Sequence, residues 1–351
     1  MQASSSEAAA PARIREFRVP SWLRALGRGL RAFVLVTLVA WASLALYFSN
    51  LPWPSVRLLL AIAFAAFAIW SLWLTRDKGL IAVLLALFVG IVIWWRMIPP
   101  SHDRVWRADV AVMPRAIIDG DRVTLTGVRN FDYRSVDDFT PHFETRELAL
   151  SHLTGVDFYI SYWMPGPIGH TFVSFTFDNA PPLSISIEAR PESHEGYAPI
   201  ASLFKQFELI YIVGDERDLV RVRTNHRGED VYLYKIDVPR DSARKLFLIY
   251  LERINELADR AEFYHLLSNN CTINIVRYAN VAGREGRIDF RHYLNGLIDS
   301  YLYDTNRLNT DLPFDELRRN SHINAVARAS EHDVSFSERI REAIPTRRPQ
   351  D

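Results

Sequence analysis

The chain has 351 residues and one cysteine. Cys271 lies in Ser268-Asn269-Asn270-Cys271-Thr272. A lone cysteine closes no internal disulfide, which leaves three uses: a small buried hydrophobe, a metal ligand or a nucleophile. The apolar positions Ile273, Val276, Val281 and Ala282, closed by Gly283, predict a helix after it, and Asn269 and Asn270 are cap-type residues. Cys271 is therefore expected at a helix N-terminus, where the dipole and free N–H groups favour the thiolate and can hold an oxyanion. Thiol catalysis also needs a base and a group to orient it. His170 follows the loop Met164-Pro165-Gly166-Pro167-Ile168-Gly169, at the start of an expected strand. His152, His194 and His265 compete with it. Glu188 is the first candidate to orient the base, with Ser186 and Asn270 behind it.

Those side chains need a sheet. His170–Phe177 and Leu183–Arg190 alternate as two strands around Asp178-Asn179-Ala180-Pro181-Pro182. Matching their apolar faces sets Phe175 opposite Ile185 and Val173 opposite Ile187. His170 then faces Arg190, with Glu188 as its diagonal neighbour. Ser184, Ser186, Glu188 and Arg190 are expected to point outward. A hairpin is expected over 116–126, and less regular strands over 128–134 and 144–153. Asp157–Trp163 reads as extended. A second hairpin is expected from Phe207–Val213 and Leu219–Thr224 around Gly214-Asp215-Glu216-Arg217-Asp218, then a strand over Val231–Val238. A helix follows from Asp241 to about Arg260, and another is marked by Phe290, Leu294, Leu297 and Tyr301. Phe314–Ala329 and Ser337–Ile344 read as short peripheral helices, and Thr346–Asp351 as a fraying end. Strands first and helices later predict an α+β domain.

The substrate-binding candidates are Asn270, Tyr162, Trp163 and Arg190. Tyr162 and Trp163 form an aromatic loop beside the proposed base, suited to an acyl chain or a bilayer surface and equally to plain packing. Arg190, with Arg217, Arg221 and Arg223, could meet lipid phosphate or could be ordinary strand charge. No His-Glu-x-x-His pattern or second cysteine suggests a metal site, and no glycine loop suggests a phosphate cofactor. The formal net charge is zero, which argues against a nucleic-acid partner.

The first hundred residues differ from the rest. Residues 1–31 form a basic segment carrying Arg13, Arg15, Arg18, Arg24, Arg28 and Arg31 after a polar start, Met1–Ala12, that reads as disordered. Ala32–Ser49, Leu58–Thr75 and Gly79–Trp95 are uncharged and approach the roughly 20 residues of a membrane span. Three transmembrane helices are thus expected within 32–98. The loop Asn50-Leu51-Pro52-Trp53-Pro54 is uncharged and Arg76-Asp77-Lys78 is basic. The positive-inside rule puts the N-terminus in the cytoplasm and the domain at 101–345 outside it. Its core is expected at about 110–283, with a helical extension over about 284–345.

Four segments together resemble a known family. Gly169-His170-Thr171-Phe172-Val173-Ser174-Phe175, Ser186-Ile187-Glu188-Ala189-Arg190, Tyr211-Ile212-Val213-Gly214-Asp215-Glu216-Arg217-Asp218 and Asn270-Cys271-Thr272 are similar, in that order, to the Lnb N-terminal periplasmic domain. The resemblance runs from about Val110 to Ala282. It implies a permuted papain-like (NlpC-like) fold, related to lecithin:retinol acyltransferase, with an antiparallel sheet and histidine preceding cysteine. It also implies a bacterial inner-membrane enzyme: a Cys271 nucleophile with a His170 base, a phospholipid acyl donor, and a lipoprotein N-terminus or other amine as acceptor. A cysteine peptidase or amidase acting on cell-wall peptide, and a non-catalytic envelope binding module, are the alternatives.

Overall fold

The computed structural model describes residues 20–284, 286 and 289–345. The expectations for Met1–Ala12 and Thr346–Asp351 lie outside the described residues. The chain divides into two compact units. One runs through Tyr47 and resumes over Leu51–Arg96; the other comprises Phe48–Asn50 and everything from Met97.

The first unit is α1 (Ser21–Tyr47), α2 (Pro54–Ile69), continued by a widened turn over Trp70–Thr75, and α3 (Lys78–Met97). All three are long and apolar enough to cross a membrane. Pro54 opens α2, where its missing N–H costs nothing. Ala42, Leu46, Ala61, Phe64, Ala68 and Leu84 pack together inside this unit, while Leu26, Phe33, Leu59 and Leu74 stay exposed. An outward apolar face of that kind suits a hydrocarbon solvent.

The second unit is built on one large sheet. Its strands are β1 (Arg115–Asp119), β2 (Arg122–Arg129), β5 (Phe143–Ala149), β6 (Leu153–Tyr162), β7 (His170–Phe177), β8 (Leu183–Arg190), β9 (Glu208–Asp215) and β10 (Asp230–Lys235). Two short strands, β3 (Asp132–Tyr133) and β4 (Phe139–Thr140), pair with each other alone. The order β1-β2-β9-β8-β7-β6-β10, with β5 beside β2, is antiparallel except at one place. There β2 and β9 run parallel through Arg129 and Gly214. The sheet is therefore mixed, where a purely antiparallel one was expected. Gly214 explains the approach: a Cβ there would lie 2.7 Å from the Arg129 carbonyl oxygen and still closer to Leu219.

Both faces of the sheet are covered. On one, α5 (Arg240–Asp259) sets Phe247 and Tyr250 against Phe175, with the Phe175 and Phe247 ring centroids 4.7 Å apart. α6 (Cys271–Ala279) lies on the same side, and its Tyr278 hydroxyl meets that of Tyr211. On the other face Tyr159 and Phe172 stack at 4.6 Å. They join Val231 and Leu233 beneath Ile323, Ala327, Phe336, Ile340 and Ile344. Ile323 caps α9 (Asn324–Ala329), which carries Ala327; Phe336 opens α10 (Phe336–Arg339), and Ile340 and Ile344 follow it. The C-terminal helices expected to be peripheral thus supply half of the buried apolar cluster on this face. Full burial of one such side chain contributes about 1.5–3 kcal/mol. Ser184, Ser186 and Arg190, which alternation alone had assigned to solvent, are buried as well.

Three further expectations need correction. Leu219–Thr224 is not a strand. Asp215 caps α4 (Glu216–Leu219) by accepting from the Arg217 N–H, and the chain continues in helical turns through His226. The helix expected from Phe290 to Tyr301 is broken into turns at Phe290–His292 and Asn295–Leu297 before α7 (Ile298–Asp304). Gly296 marks the break. Its Cα packs so tightly on Pro167 and Ile168 that a Cβ would lie 2.7 Å from the Pro167 carbonyl carbon. The third concerns register: β7 and β8 pair Val173 with Ile185 and Phe175 with Leu183, two residues from the expected alignment. A shift of two keeps every side chain on its face, so the apolar pattern could not discriminate between the two.

A buried ionic cluster ties the C-terminal cover to the sheet. The Arg341 guanidinium donates to Asp157 Oδ2 at 2.8 Å from Nε and to both Glu216 oxygens at 2.6 and 2.7 Å. Tyr159 also donates its hydroxyl to Glu216, at 2.7 Å. Burial pushes the Asp157 carboxyl up, against the pull of Arg341. On Glu216 the same penalty is outweighed by Arg341, and its pKa is lowered.

Candidate active site

Cys271 is the first residue of α6. Asn270 caps that helix: its Oδ1 accepts from the Ile273 N–H at 2.8 Å and its amide donates to the Leu266 carbonyl. Both ends of the Asn270 side chain are thus spent on the turn, and its expected substrate-binding part gives way to a capping one. Thr272, next to the cysteine, bonds Thr171 hydroxyl to hydroxyl at 2.8 Å, which ties the start of α6 to β7. The Cys271 side chain is 3% exposed.

His170 opens β7 and reaches the thiol. Burial pushes the Cys271 pKa up. The charge and hydrogen bond of His170, helped by hydrogen bonds from Thr171, bring it down to about 6. The other side of the imidazole is held: Nε2 lies 2.7 Å from Ser186 Oγ. That hydroxyl donates to Glu188 Oε1 at 2.7 Å, while the glutamate itself stays 3.7 Å from Nε2. Ser186 is thus the direct partner of the base, with Glu188 behind it. In the observed register Phe172 faces Ser186, which makes the serine the diagonal neighbour of His170 that the glutamate was expected to be.

The chain of polar groups continues inward. Arg223 donates to Glu188 Oε1 at 2.7 Å and to the Leu219 carbonyl at 2.6 Å, and its guanidinium lies over the Phe172 ring. Burial would raise the Glu188 carboxyl, but Arg223 above all, then His170 and Arg129, holds it well below the usual carboxylate range. Glu188 is therefore ionised at neutral pH, and Arg223 is a buried structural cation unavailable to a lipid phosphate. Arg129 is likewise committed, to a two-bond pair with Asp218 at 2.8 and 2.9 Å.

Two candidate binding residues are occupied elsewhere. Arg190 is 2% exposed, donates to the carbonyls of Val110 and Ala111 at 2.9 and 2.7 Å, and stacks on Trp106. It anchors the segment that leads into the sheet, a correction to its expected substrate contact. Tyr162 is buried, gives its hydroxyl to the Gly296 carbonyl and receives one from Arg318 at 3.1 Å. It too is structural. Trp163 remains exposed at the start of the loop, with Met164 and Ile168. Among the competing histidines, His152 pairs with Asp178 on a surface turn and His265 accepts from the Leu267 N–H.

Sequence reasoning missed Asn295. Its Oδ1 accepts from the Gly169 N–H at 3.0 Å, and its Nδ2 points at Cys271 Sγ, 3.8 Å away. It lay hidden inside a stretch that read as an amphipathic helix. The Asn-Gly pair, a frequent chain-breaking dipeptide, was the available signal.

Among the described residues no cluster of histidine, cysteine, aspartate or glutamate has the makings of a metal site.

Residues 139–300 match the family model of the Lnb N-terminal periplasmic domain. This part of the chain belongs to that family. No curated protein and no solved structure matches the chain. The Lnb domain contains Cys271, His170, Ser186, Glu188, Arg223 and Asn295, so the whole polar constellation lies inside it. Arg341 and the helices that cover the second sheet face lie beyond it. With its three apolar helices, the chain is a membrane protein that carries a periplasmic-type domain.

A thiol held near 6 should be largely ionised at neutral pH. Alkylation of the full chain by iodoacetamide should therefore rise with a midpoint near pH 6, against roughly 8.5 for an unperturbed cysteine. A midpoint above 8 would mean that His170 does not charge the thiol.

Proposed function

We propose that this protein is a membrane-anchored thiol acyltransferase. The observation that carries the reading is the thiol of Cys271 at a helix start, brought down in pKa by the charge and hydrogen bond of His170, whose Nε2 meets Ser186 with Glu188 behind it. His170 takes the Cys271 proton, and the sulfur attacks the carbonyl carbon of a phospholipid ester. A C–S bond forms, the C–O bond to glycerol breaks, and the leaving oxygen takes the proton from His170. An amine, such as a lipoprotein N-terminus, then attacks the thioester, and the sulfur leaves as thiolate. The order of histidine before cysteine suits a permuted papain-like arrangement.

An apolar pocket supports an acyl group over a peptide. It lies between α6, α5, α7 and the sheet, and Thr272, the residue after Cys271, is part of its lining. Val156, Phe158, Val173, Leu246 and Ile275 line it. That apolar lining suits an acyl chain. A cell-wall peptide would favour a polar groove. The exposed Trp163, Met164 and Ile168 are suited to a bilayer surface. In this reading the three helices lie in the inner membrane with the N-terminus cytoplasmic, and the anchor keeps the domain where both substrates are concentrated.

The test is intact-protein mass spectrometry after incubation with phosphatidylethanolamine vesicles. The expected result is a hydroxylamine-labile acyl adduct that Cys271→Ala abolishes. Absence of any adduct on a thiol that alkylates fully would overturn the acyltransferase reading and favour the amidase.

A further inference from the structure

We propose that the side-chain amide of Asn295 is the oxyanion donor of this site. The inference rests on the thiol-acyl reading above and assigns a residue that the reading does not use. Asn295 is buried, and its orientation is fixed from behind. The Gly169 N–H donates to Oδ1, so the amide cannot flip without setting two donors against each other. Nδ2 is thereby aimed at the sulfur, 3.8 Å away.

The segment that carries Asn295 is equally constrained. The Gly296 N–H donates to the Pro167 carbonyl at 3.0 Å, and the Gly296 carbonyl accepts from Tyr162. A Cβ on Gly296 would collide with Pro167 and Ile168. The turn at Asn295–Leu297 therefore clamps the loop that presents His170 while it delivers an N–H to Cys271. Clamp and donor are one residue apart.

The chemistry needs a donor in this place. When sulfur attacks, the C–S bond forms and the carbonyl π pair moves onto oxygen. That oxygen is bonded to the attacked carbon, so its charge develops beside the sulfur, where the Asn295 amide points. A useful donor sits about 3 Å from the charged oxygen and is in place before reaction. The Cys271 backbone N–H, at the first position of α6, has no acceptor within its own helix and supplies the second donor. When the tetrahedral adduct collapses, the pair returns to carbon, the ester oxygen leaves with the His170 proton, and the amide reverts to its resting contact with sulfur.

The experiment compares two reactions of the same thiol in the full-length protein in detergent. Acylation by p-nitrophenyl butyrate passes through an oxyanion; alkylation by iodoacetamide does not. Two variants are used. Asn295→Asp keeps an oxygen for the Gly169 N–H and loses the donor, whereas Asn295→Ala loses both. Both are compared at a pH where alkylation has reached its plateau. We expect each variant to lose about 10²–10³-fold in acylation, with alkylation within about fivefold of wild type. Acylation within about threefold of wild type in either variant would overturn the proposal. A parallel fall in both reactions would also overturn it, because it would mean that Asn295 only places the thiol. If the wild type releases no p-nitrophenol and gains no adduct, the thiol-acyl reading itself fails, and this inference with it.

Discussion

Replacing His170 with alanine will slow formation of the acyl adduct at pH 7 by about 10²–10⁴-fold. Two separable losses make up that figure. The first is ionisation. With its pKa near 6 the Cys271 thiol is mostly thiolate at pH 7, and an unperturbed thiol is only about 3% ionised there, roughly a 30-fold difference. The second is proton return: without an imidazole the departing oxygen must find a proton in water. The two respond differently to pH. Burial pushes the variant's thiol above the unperturbed value, so raising the pH to about 9.5 and beyond ionises it and restores the first term. The second remains. Rates of adduct formation by wild type and His170→Ala across that range will therefore converge by roughly an order of magnitude and then run parallel. Full convergence would show that His170 only ionises the thiol. A variant as fast as wild type at pH 7 would remove His170 from the reaction.

Much of this site was legible before any coordinates. A lone cysteine after two cap-type asparagines placed itself at a helix start. A histidine after a Pro-Gly loop placed itself at a strand start, and strand alternation put Ser186 and Glu188 on its face. Alternation stops there. It has period two, so it fixes the face and leaves registers two apart equally good, and that is why serine took the diagonal place beside His170 that was expected of the glutamate. It is also blind to what covers a face. Ser186, Arg190 and Arg223 read as surface residues but are all buried. Arg223 lies against Phe172, which helices over a hundred residues downstream cover, and Arg190 is covered by the segment around Val110, far upstream. Asn295 was out of reach for a related reason. Its partners, Gly169 and Cys271, are distant in the chain, and its neighbours Leu294, Leu297 and Tyr301 have helical spacing.

The motif Gly214-Asp215-Glu216-Arg217-Asp218 is the clearest case of charge that serves packing. Each carboxylate has its own cation: Asp215 takes Arg146, Glu216 takes Arg341, and Asp218 takes Arg129 and the Phe131 N–H. None of the three is free for a substrate. They hold α4 against the sheet, and α4 leads directly into the turn that carries Arg223 to Glu188. Charge that looked available for phosphate is thus what sets the polar chain behind the base.

Arg341→Met will destabilise the second unit by about 3–5 kcal/mol, the usual result of removing one partner from a buried ionic group. Asp157 and Glu216 would be left facing each other, both buried, with only the neutral hydroxyls of Tyr159 and Ser337 to donate to Glu216 among the described residues. The pH dependence gives the mechanism away. Without Arg341, burial and mutual repulsion raise the folded-state pKa values of both carboxyls above their unfolded values. For groups shifted in that sense, stability is present below the unfolded pKa and is lost as pH rises through the folded one. The variant should therefore be weakest at neutral pH and recover toward wild type as the pH is lowered from 7 to 5. Wild-type Asp157 is already pushed up and Glu216 held down, so the native cluster spreads its response and should vary less over the same window. Thermal unfolding of the detergent-solubilised chain, followed by near-ultraviolet circular dichroism, measures both. A gap between variant and wild type that stays constant from pH 7 to 5 would mean that Arg341 acts through its packing alone. A gap that closes would show that the C-terminal helices are held on the sheet by charge as well as by Phe336, Ile340 and Ile344.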